Sequence, residues 1–341
     1  MNALSQSFYT AHALDPRSVL VAIPTFNEEA HIANTLRELL DNDVAMLSVK
    51  IVVADGGSTD RTCEIVTRLA ERYPNLELIH NPDRIQAAAI NRVVETCAEA
   101  HHEYLVRVDA HAKYPRGYVL RVAKTLMVHD AAAVATVMDS VGDNCFQRGS
   151  AWAMETILGT GGSSHRGGHK SGYVDHGHHA GFRLDFWRQT GGYDTTFIAN
   201  EDAELDYRLG MIGGKIWLDA TIRLDYIMRA TAMKLAKQYW NYGTGRAQTI
   251  LHHKIQPRLR QMVPPVILLV NLFSILLATT FPMLILLPVS YVLILAGTAL
   301  FLAAKHRCKC ALMAAPALFI MHQCWGAGFL VYMLRNVRRW V

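Results

Sequence analysis

The chain has 341 residues, of which 51% are hydrophobic and 18% are charged, and its formal net charge is +5. This composition excludes a disordered tail protein, a collagen and a disulfide miniprotein, and the length allows one large domain or two ordinary ones. Residues 1–225 carry 21 basic and 29 acidic side chains, whereas residues 226–341 carry 13 basic side chains and no acidic one. Because the basic part is also the most apolar part, we expect it to bind a lipid bilayer and no nucleic acid.

The first part of the chain alternates β-rich runs with helical patterns. In chain order, we predict strand 19–24, helix 28–40, strand 49–54, helix 61–72, strand 76–80, helix 85–100 and strand 104–108. This alternation predicts an α/β fold with a mostly parallel sheet, which binds ligands beyond the carboxyl ends of its strands. Asn27, Asp55 and Asp109 each follow a predicted strand, so we expect a binding site at this rim.

Two short motifs at the rim carry usable chemistry. The turn DGGSTD at 55–60 has two glycines that let a ligand approach the backbone, and carboxylates that can accept hydrogen bonds from a base or a ribose. Asp109 and His111 could share a divalent cation that bridges a diphosphate, although a helix cap or a solvated turn would look the same. The sequence has no P-loop, and no GxGxxG follows the first strand.

The last part of the chain predicts a membrane region. Residues 264–304 contain no charged side chain, which is room for two crossings. We predict three parts of the chain: a tail at 1–17, a cytoplasmic domain at 18–262, and a membrane region at 263–341. The apolar segments of the membrane region are 264–281, 282–304 and 311–334. The basic stretches 254–260 and 305–310 place the first two segments as a hairpin. The third either crosses once, which we favour although it leaves Arg335, Arg338 and Arg339 outside, or bends back near 325–328.

The cysteines and histidines are the residue types that could form a zinc site or a disulfide. The six cysteines form no CxxC pair, which is typical of a reducing compartment, so we read Cys308 and Cys310 as reduced thiols rather than a lipidation site. His165, His169, His176, His178 and His179 lie among glycines. A zinc site is conceivable there. We favour a mobile loop that closes over the substrates, with His178 or His179 near the sugar.

Four segments then resemble a known family. PTFNEE at 24–29, VVADGGSTDRT at 52–62, VRVDAHAKYP at 106–115 and NEDAELDYRL at 200–209 resemble, in this order, the motifs of family 2 glycosyltransferases with a GT-A fold. YVDHGHHAGFR at 173–183 and QYWNYGTGRA at 238–247 are most similar to bacterial exopolysaccharide enzymes of the succinoglycan type. The resemblance covers about residues 18–250. It implies a nucleotide-sugar donor such as a UDP-sugar, a divalent metal, Mn²⁺ or Mg²⁺, and inversion at the anomeric carbon.

The resemblance also assigns site residues. It implies a nucleotide-sugar pocket formed by Pro24, Thr25, Asn27, Glu28, Asp55, Gly56 and Arg84. It makes Asp109 and His111 the metal ligands, and since His111 replaces the usual aspartate, the identity of the metal stays open. Asp202 matches the general base, with Glu201 as second choice. An inverting transfer needs such a carboxylate, although both residues could instead cap a helix.

The segment 238–247 bears on what is transferred. It lacks the Q-x-x-R-W pattern of processive relatives, which favours addition of one sugar over polymer extrusion. Arg246 could hold the diphosphate while Trp240 and Tyr242 stack on a sugar, or these side chains could form an interfacial belt.

We therefore expect an inverting hexosyltransferase in the bacterial inner membrane, multi-pass, with its catalytic domain cytoplasmic. The expected acceptor is a polyprenyl-diphosphate-linked saccharide in exopolysaccharide synthesis. One alternative is a transferase that charges polyprenyl phosphate itself. Another is a membrane transporter or receptor with a degenerate nucleotide-binding domain, which the presence of both Asp109 and Asp202 disfavours.

Overall fold

The computed structural model describes residues 13–41, 43–162, 167–197 and 199–336. These residues form eight strands: β1 Val19–Thr25, β2 Lys50–Asp55, β3 Leu76–His80, β4 Tyr104–Arg107, β5 Ala133–Val141, β6 Gly172–Val174, β7 His178–Arg183 and β8 Ile216–Ile227. They also form twelve α-helices: α1 Ile32–Leu40, α2 Thr62–Arg72, α3 Gln86–Cys97, α4 Tyr118–Val128, α5 Cys145–Ala153, α6 Ile157–Thr160, α7 Leu184–Thr190, α8 Glu201–Met211, α9 Ala232–His253, α10 Leu259–Leu277, α11 Leu286–His306 and α12 Ala314–Arg335. Residues 1–12 of the predicted tail, His165, Arg338 and Arg339 lie outside the described residues.

The chain divides into two compact units. The first contains Met1–Val134 and His179–Gly192, and the second contains Ala135–His178 and Tyr193–Val341. In the first unit the strands pair in the order β3-β2-β1-β4-β7. The first three of these pairs are parallel, and β7 is antiparallel to β4. The prediction of a mostly parallel sheet with flanking helices is confirmed.

The centre of this sheet is dry because the strands are apolar on both faces. Val19, Leu20, Val21, Ala22 and Ile23 are all fully buried in β1. A continuous apolar run of this kind is typical of a parallel strand that helices cover on both sides. The body of β1 is thus apolar and buried, and the predicted site residues lie at or beyond the strand ends.

The first helix begins at Ile32, four residues later than the periodicity predicts. The backbone N–H of Glu28 donates to Oγ1 of Thr62 at 2.8 Å, and that of Glu29 donates to Oδ2 of Asp60 at 3.1 Å. Asn27 adopts a left-handed φ of +56°. Because these amides bind the loop after β2, the residues before Ile32 form a turn at the rim of the sheet and not the first turn of the helix.

The second unit contains the strand order β5-β8-β6 and the long helices. Helix α12 packs very closely against α9 at two glycines. A Cβ atom on Gly243 would lie 2.0 Å from the carbonyl oxygen of Trp325, and one on Gly328 would lie 2.2 Å from that of Trp240. Only residues without a side chain permit this contact between the two helix backbones.

Three C-terminal helical segments are long and apolar enough to cross a membrane: Leu259–Leu277, Pro282–His306 and Lys309–Arg335. They differ in what their side chains contact. On α10 and α11 large apolar side chains such as Phe273, Leu276, Leu293 and Phe301 are exposed. On α12, by contrast, Leu318, Met321 and Phe329 are buried against other helices of the unit.

Helix α12 runs without interruption from Ala314 to Arg335. The bend near 325–328, which was the alternative for this segment, is therefore not present. The glycines at 326 and 328 serve close packing instead, since a Cβ atom on Gly326 would lie 2.7 Å from the carbonyl oxygen of Pro264.

The prediction that Cys310 is a reduced thiol is wrong in this structure, because its sulfur is bonded to that of Cys145. The bond joins the first residue of α5 to the segment before α12. Packing holds the same two elements together, as a Cβ atom on Gly149 would lie 2.5 Å from the Cβ of Met313. Sequence spacing could not reveal this pair, since 165 residues separate the two cysteines. Cys308 remains a free thiol.

Candidate active site

The first unit carries a tight turn at the end of β2 that is organised by Asp55. Its Oδ2 accepts hydrogen bonds from the backbone N–H groups of Gly57 at 2.9 Å and Ser58 at 2.8 Å. Its Oδ1 accepts from Oγ of Ser58 at 2.5 Å and Oγ1 of Thr25 at 3.2 Å. Burial opposes ionisation of Asp55, but the hydrogen bonds from Ser58, Cys63 and Gly57 outweigh it and hold the pKa below its usual value. Asp55 thus shapes the glycine turn as a fixed carboxylate.

The turn after β1 is bound to the turn after β2. The backbone N–H of Asn27 donates to Oγ of Ser58 at 2.8 Å, and its side-chain Oδ1 accepts from the backbone N–H of Thr59 at 2.8 Å. Arg84 lies over the same loop, with its Nε 3.7 Å from the position of a Cβ atom on Gly57. The structure therefore brings Thr25, Asn27, Asp55, Gly56 and Arg84 together, as a shared pocket requires.

Asp109 lies just beyond β4 and is surrounded by donors. Its Oδ1 accepts from Nε2 of Gln86 at 2.7 Å and from Nε of the buried Arg107 at 3.1 Å. Its backbone N–H donates to the hydroxyl of Tyr114 at 2.6 Å. Burial raises the pKa of Tyr114 well above its usual value, with the nearby Asp109 carboxylate adding to the effect. Tyr114 therefore stays neutral.

His111 contacts Glu28 rather than solvent alone, with its Nδ1 2.8 Å from Oε1 of Glu28. Among the residues that the structure describes, no three His, Cys, Asp or Glu side chains are grouped closely enough to hold a metal ion by themselves. Aspartate with an imidazole is still a suitable donor set for Mn²⁺. The donor types of Asp109 and His111 therefore fit a metal whose remaining ligands are phosphate oxygens and water.

In the second unit, Asp202 lies in the first turn of α8. Its Oδ1 accepts a hydrogen bond from the hydroxyl of the buried Tyr193 at 2.8 Å, and its Oδ2 is 3.6 Å from Nδ1 of His178. Negative charge here is favoured by the positive end of the helix dipole. Asp202 is therefore held in one orientation and remains partly open to solvent.

Glu201 and Asp202 are the first two residues of α8. The capping residue of α8 is Asn200, which has a φ of +65°. The side-chain Nδ2 of Asn200 donates to the carbonyl oxygen of Tyr242 at 2.7 Å, which ties the start of α8 to α9. Glu201 and Asp202 thus lie inside the helix, one and two residues after its N-cap position, and their role as base or as cap stays a prediction.

Arg246 lies on α9 in the second unit. Burial lowers its pKa to about 10, and the nearby carboxylate of Asp206 opposes this effect. Asp206 itself is buried and lies 2.6 Å from Nδ1 of His176. Arg246 thus has Asp206 as a charged neighbour, and its assignment to the diphosphate stays a prediction.

Several of these contacts involve residues that the sequence reading did not select. Gln86 lies in the predicted helix 85–100, Arg107 lies in the predicted strand 104–108, and Tyr193 lies outside the predicted motifs. Arg107 could have been found, because it lies two residues before Asp109 and alternate residues of a strand face the same side. Tyr193 carries no such signal, since it lies nine positions before Asp202 in the chain and outside the predicted elements.

Comparison with known proteins agrees with this architecture. Residues 20–190 match the family model of Glycosyl transferase family 2. The succinoglycan biosynthesis protein ExoA of Rhizobium meliloti (strain 1021) is 40% identical over 93% of this chain and 95% of its own length. A dolichyl N-acetyl-alpha-D-glucosaminyl phosphate 3-beta-D-2,3-diacetamido-2,3-dideoxy-beta-D-glucuronosyltransferase of Methanococcus voltae is 25% identical over 68% of this chain and 74% of its own.

Among solved structures, the mannosyltransferase PcManGT of Pyrobaculum calidifontis, in complex with GDP-Man and Mn²⁺, superposes with a TM-score of 0.58. It covers 95% of this chain and 90% of its own at 19% identity, so this likeness supports the GT-A fold alone. The family model and the 40% identity to ExoA extend across the rim motifs described above. The chain belongs to glycosyltransferase family 2.

Proposed function

We propose that this protein is an inverting glycosyltransferase that moves one sugar from a nucleotide-sugar, such as a UDP-sugar, to a polyprenyl-diphosphate-linked saccharide in exopolysaccharide synthesis. The observation that carries the proposal is Asp202, a partly exposed carboxylate in the first turn of α8 that the Tyr193 hydroxyl holds in place. The relative ExoA, by its name a succinoglycan biosynthesis protein, supports the pathway class.

The chemistry follows from the demands of inversion. The acceptor hydroxyl oxygen attacks the anomeric carbon from the side opposite the diphosphate, and the bond from that carbon to the phosphate oxygen breaks. The nucleoside diphosphate leaves with the electron pair of this bond. Asp202 takes the proton of the attacking hydroxyl, which is the role of a general base.

The first unit would hold the donor. The Asp55 turn presents backbone groups and polar side chains to a base and a ribose, and Arg84 adds a positive charge beside the glycines. Asp109 and His111 would hold a divalent metal, which when bound neutralises charge on the leaving diphosphate. Complexes of PcManGT with GDP-Man and Mn²⁺ make such a metal reasonable for the fold.

The acceptor is proposed to be lipid-linked because the second unit contains the apolar helices as well as Asp202. The name of the Methanococcus voltae relative describes transfer to a dolichyl-linked sugar phosphate, which supports this acceptor class. Charging of polyprenyl phosphate itself remains the second candidate, since it differs only in the acceptor.

We infer that α10 and α11 form the membrane hairpin and that α12 does not cross. Large apolar side chains of α10 and α11 are exposed, as contact with lipid requires. At the start of α12, Ala314 packs in the same cluster as Ala151 of α5. Near its end, Phe329 packs with Ala247 and Ile250 of α9. Both ends of α12 thus contact helices outside the proposed hairpin.

This arrangement replaces the single crossing favoured from the sequence. The last turn of α11 also contacts the rest of the unit, since Nζ of Lys305 lies 2.6 Å from Oε2 of Glu155. With two crossings, Lys305 and Arg335 stay on the side of the catalytic residues, which satisfies the positive-inside rule. We propose that this side is the cytoplasmic face of a bacterial inner membrane.

A donor panel tests the proposal. The full-length protein in bilayers, supplied with polyprenyl-linked saccharides, is incubated with nucleotide-sugars with and without Mn²⁺, and released nucleotide and the anomeric configuration of the product are measured. We expect one donor to give metal-dependent release and a product of opposite anomeric configuration. A retained configuration, or transfer only to polyprenyl phosphate, would contradict the corresponding part of the proposal.

A further inference from the structure

Two histidine–aspartate pairs connect the segment 176–178, which ends at the first residue of β7, to helix α8. Nδ1 of His176 lies 2.6 Å from Oδ2 of Asp206, and Nδ1 of His178 lies 3.6 Å from Oδ2 of Asp202. The two histidines are two residues apart, and the two aspartates are one helical turn apart on the same face. The same segment of chain therefore presents one imidazole to each carboxylate.

The two pairs differ in their surroundings. The side chain of Asp206 is 2% exposed, whereas that of Asp202 is 16% exposed. Asp206 also lies near the guanidinium of Arg246. The inner pair is thus part of a buried charge network, which is typical of a structural contact. The outer pair is accessible to a substrate and to water.

Asp202 has a second partner that sets its orientation. The Tyr193 hydroxyl donates to Oδ1 at 2.8 Å, and the tyrosine ring is 3% exposed. A buried donor on one oxygen fixes the plane of the carboxylate, so that Oδ2 faces His178. Because the 3.6 Å separation is only slightly longer than a hydrogen bond, a small side-chain rotation closes it.

We propose that Tyr193 and His178 are positioning residues that act through Asp202: Tyr193 orients its carboxylate, and His178 removes the proton that the carboxylate has taken from the acceptor. This inference rests on the proposed function, in which Asp202 is the general base. The acceptor proton passes to Asp202 as the new glycosidic bond forms and the diphosphate leaves. It then passes to the unprotonated Nδ1 of His178, and from the imidazolium to water, which returns Asp202 to its ionised form.

The test compares matched variants of the full-length protein in bilayers. We expect His178→Ala to lower kcat about tenfold or more while the donor KM stays unchanged, a smaller effect than the roughly 10²–10⁴ expected for loss of the base itself. Free imidazole should restore much of this rate, because it can accept the proton. Without added imidazole, His178→Asn should show the same loss of kcat as His178→Ala, since an amide can hydrogen-bond but cannot accept a proton. Tyr193→Phe should lower kcat severalfold and leave the donor KM unchanged.

His176→Asn is the control, because it makes the same change in the inner pair. It should lower the thermal midpoint but keep kcat within about twofold. The proton step is tested on the condition that Asp202→Asn is inactive. A wild-type kcat in His178→Ala, or a loss of kcat that imidazole does not restore, would then overturn it. If Asp202→Asn is itself active, the proposed base is wrong, and the failure belongs to the proposed function. Nucleotide binding by calorimetry confirms that each variant is folded.

Discussion

At the scale of single residues, the rim of the first unit depends on carboxylates that hold their own loops in place. Asp55 accepts four hydrogen bonds from residues 25, 57 and 58, and Asp109 accepts from Gln86 and Arg107. These hydrogen bonds give both residues a structural role, beside the binding role that we propose for them. When such a residue is replaced, the effect on stability and the effect on sugar transfer can be distinguished by measuring both for the same variant.

Asp55 predicts a pH dependence of stability. Its pKa is lower in the folded protein than in the unfolded chain. The resulting stabilisation is present above the unfolded pKa of about 4 and is lost as pH falls through the folded value. Asp55→Asn should lower the free energy of unfolding at neutral pH by about 1–3 kcal/mol and weaken its decline in acid.

Thermal midpoints measured from neutral to acidic pH check this expectation. Asp130→Asn is a suitable control, because the side chain of Asp130 is 86% exposed and its contact with Arg183 is at the surface. Equal acid sensitivity of the wild type and Asp55→Asn would count against the role of this carboxylate.

Asp109 predicts a loss of activity with little loss of stability. Asp109→Asn keeps the shape of the side chain and an oxygen for Gln86 and Arg107, but it removes the negative charge that a cation needs. We expect transfer with Mn²⁺ to be abolished and the thermal midpoint to change little. Activity assays across a Mn²⁺ titration measure this, and unchanged turnover at any Mn²⁺ concentration would refute the metal assignment.

At the scale of elements, the contact between α9 and α12 is set by glycines. Gly328→Ala would place its Cβ 2.2 Å from the backbone oxygen of Trp240, so the two helices must move apart. Gly297→Ala on α11 meets nothing within 4 Å and should gain helix propensity. We expect the first variant to lower the thermal midpoint and the second to leave it unchanged or raise it. Equal midpoints for both variants would mean that this packing contributes nothing.

The proposed place of α12 can be tested by labelling. Leu334, which is 73% exposed near the end of α12, and Thr280, which lies after α10, are each changed to cysteine in a background without other free thiols. A membrane-impermeant maleimide should label Leu334→Cys from the side of the catalytic residues and Thr280→Cys from the opposite side. Labelling of both from the same side would mean that α12 crosses the membrane.

The helices and strands also show which features of the fold the sequence pattern predicts correctly. Strand ends located Asp55 and Asp109, because the apolar pattern predicts a strand before each of them. Asp202 was assigned from the resemblance to family 2 glycosyltransferases, since no strand was predicted next to it. The start of α1 was wrong, since the side chains of Asp60 and Thr62 capture the amides of Glu28 and Glu29. Hydrophobicity alone does not predict that side chains of α12 are buried while those of α10 and α11 are exposed, because lipid and protein cover apolar side chains equally well.

At the scale of the whole molecule, charge is distributed unevenly between the part of the chain before residue 226 and the part that contains the apolar helices. All 29 acidic side chains precede residue 226, and the part beyond it carries 13 basic ones. Basic side chains near an anionic membrane surface each add on the order of 1 kcal/mol of attraction. The charge pattern, the apolar hairpin and the GT-A fold therefore agree on an enzyme that acts at a membrane surface.

The most direct test of this account is the rate of sugar transfer by Asp202→Asn at saturating donor, with donor affinity measured by calorimetry on the same preparation. A general base should contribute about 10²–10⁴ to the rate, so the account predicts a loss of that size with near-normal donor affinity. Glu201→Gln should be the milder variant. Wild-type transfer by Asp202→Asn, or an inactive Glu201→Gln beside an active Asp202→Asn, would contradict it.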